Sequence, residues 1–426
     1  MKSIQKILEI EKKKISPDAV VLKELKTKLD DFLVKLNKEI KQGKIGAEYF
    51  VGGSFAKGTV IKKEKYEIDL FLRFDKKYSE EVSSISENLI KRITKNYVKI
   101  HGSRDYFQIH LGENIILELV PVVKISKPKD AENVIDSSYF HVNYVKKELK
   151  RNKKLADEIK IAKAFAYAQN CYGAESYIQG FSGYALELLI IYYGSFEKFL
   201  KELVKAKGKI IIFNKKDFKN KNEVMLNLNS SKLSSPIVLI DPTFKERNAL
   251  AALSQETFDK FKSASKEFLK NPSEKFFVKK DVDFDKIKMN ALKNKKDFVI
   301  VELETDKQEG DIAGSKMLKF YKLLNAELER YFKIKDTDFS YNGSKTSKFY
   351  IIAEGKKELL LRGPPVKLEN HAAQFKRQHK NAFVKGKNLF AKQKQELKLK
   401  DFLRVWRDKN SGKLEEMYVK DMKIFD

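Results

Sequence analysis

The chain has 426 residues, 42% hydrophobic and 12% aromatic, which is enough apolar material for two to four globular domains. Its 87 Lys and Arg against 59 Asp and Glu leave a formal charge of +28, spread along the whole length, which calls for an anionic partner, nucleic acid first. One cysteine, Cys171, excludes an internal disulfide or a cysteine zinc cluster, and no apolar run is long enough for a membrane span or a signal core, so a cytoplasmic protein is expected.

In chain order, residues 1–45 read as two amphipathic helices, and 48–125 as strands with a helix near 79–96 between them. Val51-Gly-Gly-Ser-Phe-Ala-Lys-Gly-Thr59 makes a turn, and Tyr66-Glu-Ile-Asp-Leu-Phe-Leu-Arg-Phe74 a strand. Side chains alternate along a strand, so Glu67 and Asp69 share one face while Ile68, Leu70 and Leu72 enter the opposite layer. Two carboxylates side by side repel unless a cation lies between them, and hard oxygen ligands suit magnesium. The amides around Gly53 and the Ser54 hydroxyl can hold a phosphate chain. Gly58 is followed by Thr59, so no Gly-Lys-Ser/Thr completes a P-loop. A third acid, Glu118, interrupts the apolar run from Asn114 to Ile125, where a carboxylate is costly to bury unless it is paired or binds metal. A neighbouring strand that set Glu118 beside Glu67 and Asp69 would complete a two-metal site for phosphoryl or nucleotidyl transfer. Taken singly, each feature has a plainer reading, as a solvated strand face or an ordinary turn. Their combination carries the argument.

After Pro128 the pattern turns helical. Leu155 through Tyr172 reads as one helix stopped by Gly173, Ser182 caps a second over Gly183–Tyr193, and 196–206 gives a third. The polar stretch from Asn214 to Ser235 reads as a mobile loop that leads into Pro236–Pro242 and helices across 245–270. From about residue 272 strands and helices alternate. The strands fall at Asp297–Leu303, Phe349–Ala353, Glu358–Arg362 and 382–385, the helices at Gly314–Tyr331 and His371–Lys380, with a chain break at Gly363-Pro-Pro365. This suggests a small α+β unit with one sheet face open to RNA, and an α+β multidomain protein as a whole.

Together these segments resemble the archaeal (class I) CCA-adding enzymes, tRNA nucleotidyltransferases of the DNA polymerase beta-like superfamily. The matching residues are Gly52-Gly-Ser54, Glu67-Ile-Asp-Leu-Phe-Leu72, Glu118-Leu-Val-Pro121, Tyr172-Gly-Ala-Glu175, Gly180–Leu189, Tyr193–Glu197, Ile240-Asp-Pro242 with Arg247-Asn248, and Phe268 through Phe277. The Gly-Ser and Glu-x-Asp pair belongs to the whole superfamily, whereas Tyr-Gly-Ala-Glu and Gly-Phe-Ser-Gly-Tyr are much more specific. The resemblance implies a nucleotidyltransferase head with a small sheet and flanking helices (1–140) and a helical neck for nucleotide and base selection (141–270). It also implies an α+β body (271–318 and 372–426) and a tail (319–371). The implied activity is template-independent addition of C, C and A to tRNA 3′ ends from CTP and ATP, with release of pyrophosphate.

By the same resemblance Glu67, Asp69 and Glu118 are the catalytic acids and hold two magnesium ions, while Gly53, Ser54, His141, Lys163, Tyr172 and Arg247 bind the nucleotide. Ser54, Lys163 and His141 would face the triphosphate, Tyr172 the ribose, and Arg247 the incoming base together with an RNA phosphate. Body and tail would grip the acceptor stem and TΨC arm, and a homodimer is compatible with the family. The chain departs from the family twice. Glu118 stands where aspartate is usual, and Arg104-Asp105-Tyr106 occupies about the place of a Glu-His-Pro-Tyr stretch. Three other readings stay open at this point: a poly(A) polymerase or oligoadenylate synthetase relative, which would lack Tyr172-Gly-Ala-Glu175, a catalytically decayed tRNA-binding protein, and a general basic scaffold.

Overall fold

The computed structural model describes residues 3–279 and 282–426, which form two compact units divided between residues 280 and 281. The first unit opens with helices α1 (Ile4–Ile15) and α2 (Ala19–Gln42). A five-stranded sheet follows, built from β1 (Ala47–Val51), β2 (Tyr66–Phe74), β3 (Tyr97–Ile100), β4 (Tyr106–His110) and β5 (Ile115–Val123) in the order β1-β2-β5-β4-β3. The β2/β5 pair is parallel and the other pairs antiparallel. Short helix α3 (Gly53–Lys57) follows β1, and α4 (Val82–Ile93) lies between β2 and β3. Leu25, Leu29, Phe32, Leu36 and Ile40 recur every three to four residues on α2 and bury one stripe. With Leu89 and Ile90 of α4 they cover Ile68, Leu70 and Leu72 of β2 and Leu117 and Leu119 of β5. At roughly 1.5–3 kcal/mol per fully buried side chain, this layer fixes the sheet face that turns Glu67 and Asp69 to the other side.

The rest of the unit is mainly helical: α5 (Ser138–Arg151), α6 (Leu155–Ala168), α7 (Gly183–Tyr193), α8 (Phe196–Lys205) and α11 (Gln255–Lys270) share a core around Phe165, Phe196, Phe261 and Phe268. Ile7 and Leu8 of α1 pack into this core and not onto the sheet. A small sheet, β6 (Ile210–Ile212), β7 (Ile237–Asp241) and β8 (Phe244–Asn248), carries helices α9 (Lys221–Asn227) and α10 (Ser230–Leu233).

Three expectations for this region need correction. The polar stretch 214–235 is not a loop throughout, because Asn220 and Asn229 accept amide hydrogens from Glu223 and Lys232 and so cap α9 and α10. Residues 244–248 are a strand, not helix: Asp241 accepts the Thr243 amide to close a tight turn after Pro242, and α11 begins only at Gln255 behind its cap Ser254. Helix α6 ends at Ala168, and Asn170 in the left-handed region (φ 54°) turns the chain, so Tyr172 lies outside any helix.

The second unit has a four-stranded antiparallel sheet in the order β10-β11-β9-β15, formed by β9 (Asp297–Glu304), β10 (Phe332–Tyr341), β11 (Thr346–Gly355) and β15 (Asp421–Phe425). One face packs against α13 (Asp311–Leu328) and α15 (Leu399–Lys409) through Met317, Phe320, Leu324, Leu403 and Trp406. The other face is not left open along its length, as the sequence suggested. Ala291 and Ile287 of α12 (Phe284–Lys293) cover Phe298, Tyr350 and Ile352. The helix expected over 314–331 begins three residues earlier and ends at Leu328, giving way to β10, which the sequence reading missed. A second small sheet, β12 (Glu358–Pro365), β13 (Phe383–Lys385) and β14 (Asn388–Lys394), packs against α14 (Glu369–Gln378). Gly363-Pro-Pro365 lies at the end of β12 across a register shift instead of breaking it, with Gly363 so close to Phe375 that a Cβ would stand 2.7 Å from the ring. The chain closes with α16 (Ser411–Glu416) before β15.

Candidate active site

The end of β1 sets the site. The Gly52 amide donates to the Asp69 carbonyl at 2.8 Å, which ties the turn to β2. Gly53 then adopts φ +58°, and a Cβ there would fall 1.6 Å from Asp69 Oδ2, so only glycine lets the turn approach that carboxylate. Helix α3 carries Ser54 and Lys57 and closes at Gly58 in the left-handed region. Glu67 is exposed, with Lys63 Nζ at 4.0 Å, and Asp69 is half-buried. Asp69 is the register partner of Glu118 on the parallel neighbour β5, so the three acids share one face of two adjacent strands. Glu118 Oε1 accepts a hydrogen bond from Gln108 Nε2 at 2.8 Å, Gln108 being its partner on β4.

Burial pushes the Asp69 carboxyl up, against the pull of Lys57, and the Glu67 charge adds to the rise. Burial likewise lifts Glu118 to about 7, against the Gln108 hydrogen bond and with help from Asp69 and Glu67. A divalent cation would relieve this like-charge cost, and three carboxylates are the donor set a hard cation prefers. Among the described residues no group of three acidic, histidine or cysteine side chains stands close enough to enclose an ion, and Glu118 is engaged with Gln108. The donors therefore fit a cation by chemistry and position on the sheet.

Beside these acids lies a cavity of about 540 Å³. Gly53, Ser54, Lys57, Glu67 and Asp69 line it from the sheet, and Lys163, Tyr172, Gly173, Ser182, Tyr184 and Glu187 from the helical part. The latter wall is shaped by backbone pairing. Phe181 donates to the Cys171 carbonyl and Gly173 to the Phe181 carbonyl, and a Cβ on Gly180 would stand 2.2 Å from Cys171 O. The segments Tyr172-Gly-Ala-Glu175 and Gly180-Phe-Ser-Gly183 thus form one clasp, which places the Tyr172 ring at the cavity with its hydroxyl pushed up to about 12 by burial. Ser182 accepts the Ala185 amide at 3.1 Å and starts α7 there. One turn on, fully buried Glu187 pairs with Lys57 at 2.7 Å and Lys163 at 2.8 Å, and Lys163 also donates to Thr59 Oγ1 at 3.0 Å.

His141 and Arg247 meet elsewhere, at the buried carboxylate of Asp241. Arg247 donates to it at 2.6 Å, the Tyr184 hydroxyl at 2.9 Å and Thr243 Oγ1 at 2.7 Å. His141 Nε2 stands 3.1 Å away with its ring stacked on Tyr184, centroids 4.3 Å apart. Burial alone would raise the Asp241 carboxyl, but His141, Arg247 and the Thr243 amide outweigh it and hold the group far below the usual carboxylate range. Of the nine residues expected from the sequence, six line the cavity: Gly53, Ser54, Glu67, Asp69, Lys163 and Tyr172. Glu118 adjoins it as the partner of Asp69, and Tyr184 links the His141–Arg247 group to its wall.

Sequence reasoning missed Lys57, Thr59, Tyr184 and Glu187. For Glu187 the signal was present: it is the one acid in the apolar helix Gly183-Tyr-Ala-Leu-Glu-Leu-Leu-Ile-Ile, the same anomaly that singled out Glu118.

Sheet, turn and acidic pair define a nucleotidyltransferase fold. Solved structures of Cid1, described as an RNA terminal uridylyl transferase, and of a cytoplasmic RNA terminal U-transferase superpose with TM-scores of 0.52 and 0.50. They cover 66% of this chain and 100% and 98% of theirs at 11% and 13% identity, a likeness of fold alone. Residues 157–278 match the family model of the tRNA nucleotidyltransferase second domain. CCA-adding enzymes from Nanoarchaeum equitans and Picrophilus torridus are 43% and 34% identical over 212 and 268 residues, half and 63% of this chain. Those alignments span 52% and 58% of the relatives' own lengths. The Methanocaldococcus jannaschii CCA-adding enzyme aligns over 401 residues at 29% identity, 91% of this chain and 87% of that one. The chain is a relative of the archaeal CCA-adding enzymes.

Proposed function

We propose that this chain adds C, C and A to the 3′ ends of tRNA, using CTP and then ATP and releasing pyrophosphate. The observation that carries the reading is the placing of Asp69 and Glu118 as register partners beside Glu67, on the rim of a nucleotide-sized cavity that also holds Ser54, Lys57 and Lys163. The named relatives favour CCA addition over a long adenylate tail. Two magnesium ions held by Glu67, Asp69 and Glu118 would supply activation of the attacking hydroxyl and charge neutralisation at the phosphates.

The chain's own residues do the rest. The Ser54 hydroxyl and the ammoniums of Lys57 and Lys163 hold the triphosphate so that its α-phosphate faces the RNA end. The tRNA 3′-hydroxyl forms the new bond to that phosphorus as the bond to the β-phosphate oxygen breaks, and pyrophosphate leaves. The Tyr172 clasp bounds the ribose side. Arg247, aimed by Asp241, reads the base edge together with an RNA phosphate, a task suited to its planar fork. We place the head at 1–140, the neck at 141–270, and the tRNA-gripping body and tail at 271–318 with 372–426 and at 319–371. The acceptor stem and TΨC arm would be held there by shape and backbone charge.

The test is incubation of tRNA lacking its terminal residues with magnesium and CTP and ATP, singly and together, read on a sequencing gel. Three residues ending in A are expected, with Asp69→Ala abolishing incorporation but retaining tRNA binding. A long tail from ATP alone would replace this reading with a poly(A) polymerase.

A further inference from the structure

Beneath the cavity lies an ion cluster in which charge does not balance. Glu187 is 0% exposed and holds Lys57 and Lys163, each nearly buried, on its two oxygens. Two cations thus share one anion. A single lysine would satisfy a structural salt bridge, and a buried surplus charge is costly unless a further anion completes the group. Thr59 is a neutral partner of Lys163 and supplies none.

Asp69 lines the same cavity as both lysines, and its carboxyl feels them electrostatically. Yet among the described residues neither lysine is paired with Asp69, because Glu187 draws both ammoniums toward α7. Helix α7 has every reason to be apolar here: Ala185, Leu186, Leu188 and Leu189 around Glu187 are all buried in the core. A leucine at 187 would suit packing alone.

We propose that Glu187 is a positioning residue that withholds Lys57 and Lys163 from Asp69 and presents both to the oxygens of a polyphosphate entering the cavity. This rests on the nucleotidyl-transfer reading and adds the device that keeps cationic and acidic halves of the site apart while it is empty of substrate. A polyphosphate fits because the surplus positive charge and the Ser54 hydroxyl line the same cavity, and because several anionic oxygens can engage two ammoniums at once. When Glu187 is removed, the lysines turn to Asp69 and the polyphosphate must compete with that carboxylate.

The experiment is calorimetric binding of inorganic tripolyphosphate to the full chain in the presence of a chelator. The parent protein binds, and Glu187→Gln binds about tenfold more weakly. In a Lys57→Met background, where only Lys163 remains to be positioned, the same change costs about threefold, since Glu187 acts through both lysines. In steady-state incorporation the KM for CTP rises by a similar factor, with the KM for tRNA unmoved. Should Glu187→Gln fail to fold, Glu187→Asp, which withdraws the charge by one methylene, is expected to weaken tripolyphosphate binding severalfold. Parent-like binding by whichever variant folds, or an undiminished tenfold loss in the Lys57→Met background, overturns the proposal. Failure of the parent protein itself to bind tripolyphosphate would instead overturn the nucleotide-site reading on which it rests.

Discussion

A methyl group on residue 53 would occupy the space of the Asp69 carboxylate, and the backbone there is already left-handed. Gly53→Ala should therefore lower incorporation by 100-fold or more while reducing stability by only about 1–2 kcal/mol. Single-turnover incorporation beside a denaturant melt separates the two effects. Glu118 allows a pH prediction. Its folded carboxyl, raised to about 7, binds a proton more tightly than in the unfolded chain, so its contribution is present below the ordinary carboxylate pKa and lost as pH rises toward 7. Metal-free protein should lose up to about 1.4 kcal/mol per pH unit across that window, and Glu118→Gln should flatten the slope. Melts in chelator from pH 4.5 to 7.5 check this, and identical slopes would refute it. Glu118 was legible because a lone carboxylate in an apolar strand is anomalous in one dimension, and Glu67 and Asp69 because strand alternation puts both on one face just after a Gly-Gly-Ser turn. The pairing of Glu187 with Lys57 was not, because it joins residues 130 apart in sequence that come together only in the fold.

At the scale of elements, α7 was readable because its cap and its apolar run are both local, Ser182 accepting the Ala185 amide as a serine there should. Ser182→Ala should cost about 1 kcal/mol in unfolding free energy, and more in nucleotide affinity, since that cap starts the helix that carries Tyr184 and Glu187. Elements whose identity depends on distant partners were misjudged. Strand β10 is polar on its exposed side, with Lys333, Lys335, Asp336 and Asp338, and becomes a strand through its ladder with β11. The polar run after Asn214 hid two short helices because asparagine signals a loop and a helix cap equally well. The helix through Tyr172 was extended four residues too far, since Cys171 and Tyr172 are apolar enough to continue it, and only pairing with Phe181 pulls them out.

For the whole molecule, two units with separate cores predict that 1–280 and 281–426 can be produced apart. The first should bind tripolyphosphate with the affinity of the full chain, and the second should melt cooperatively alone. A non-cooperative second fragment would show that its core needs its neighbour. The surplus of 28 positive charges predicts tRNA binding that weakens steeply with salt, read as the slope of log K against log salt concentration. Among the described residues no helix is long and apolar enough to cross a membrane. The anchoring of Ile7 and Leu8 in the helical core, where α1 packs against α6, has a kinetic consequence. As the polypeptide leaves the ribosome, α1 must wait with that stripe uncovered until α6 has been synthesised. A bulky N-terminal fusion would then hinder that docking event, and a growing chain stalled before α6 should be a ready client for chaperones that grasp exposed apolar segments.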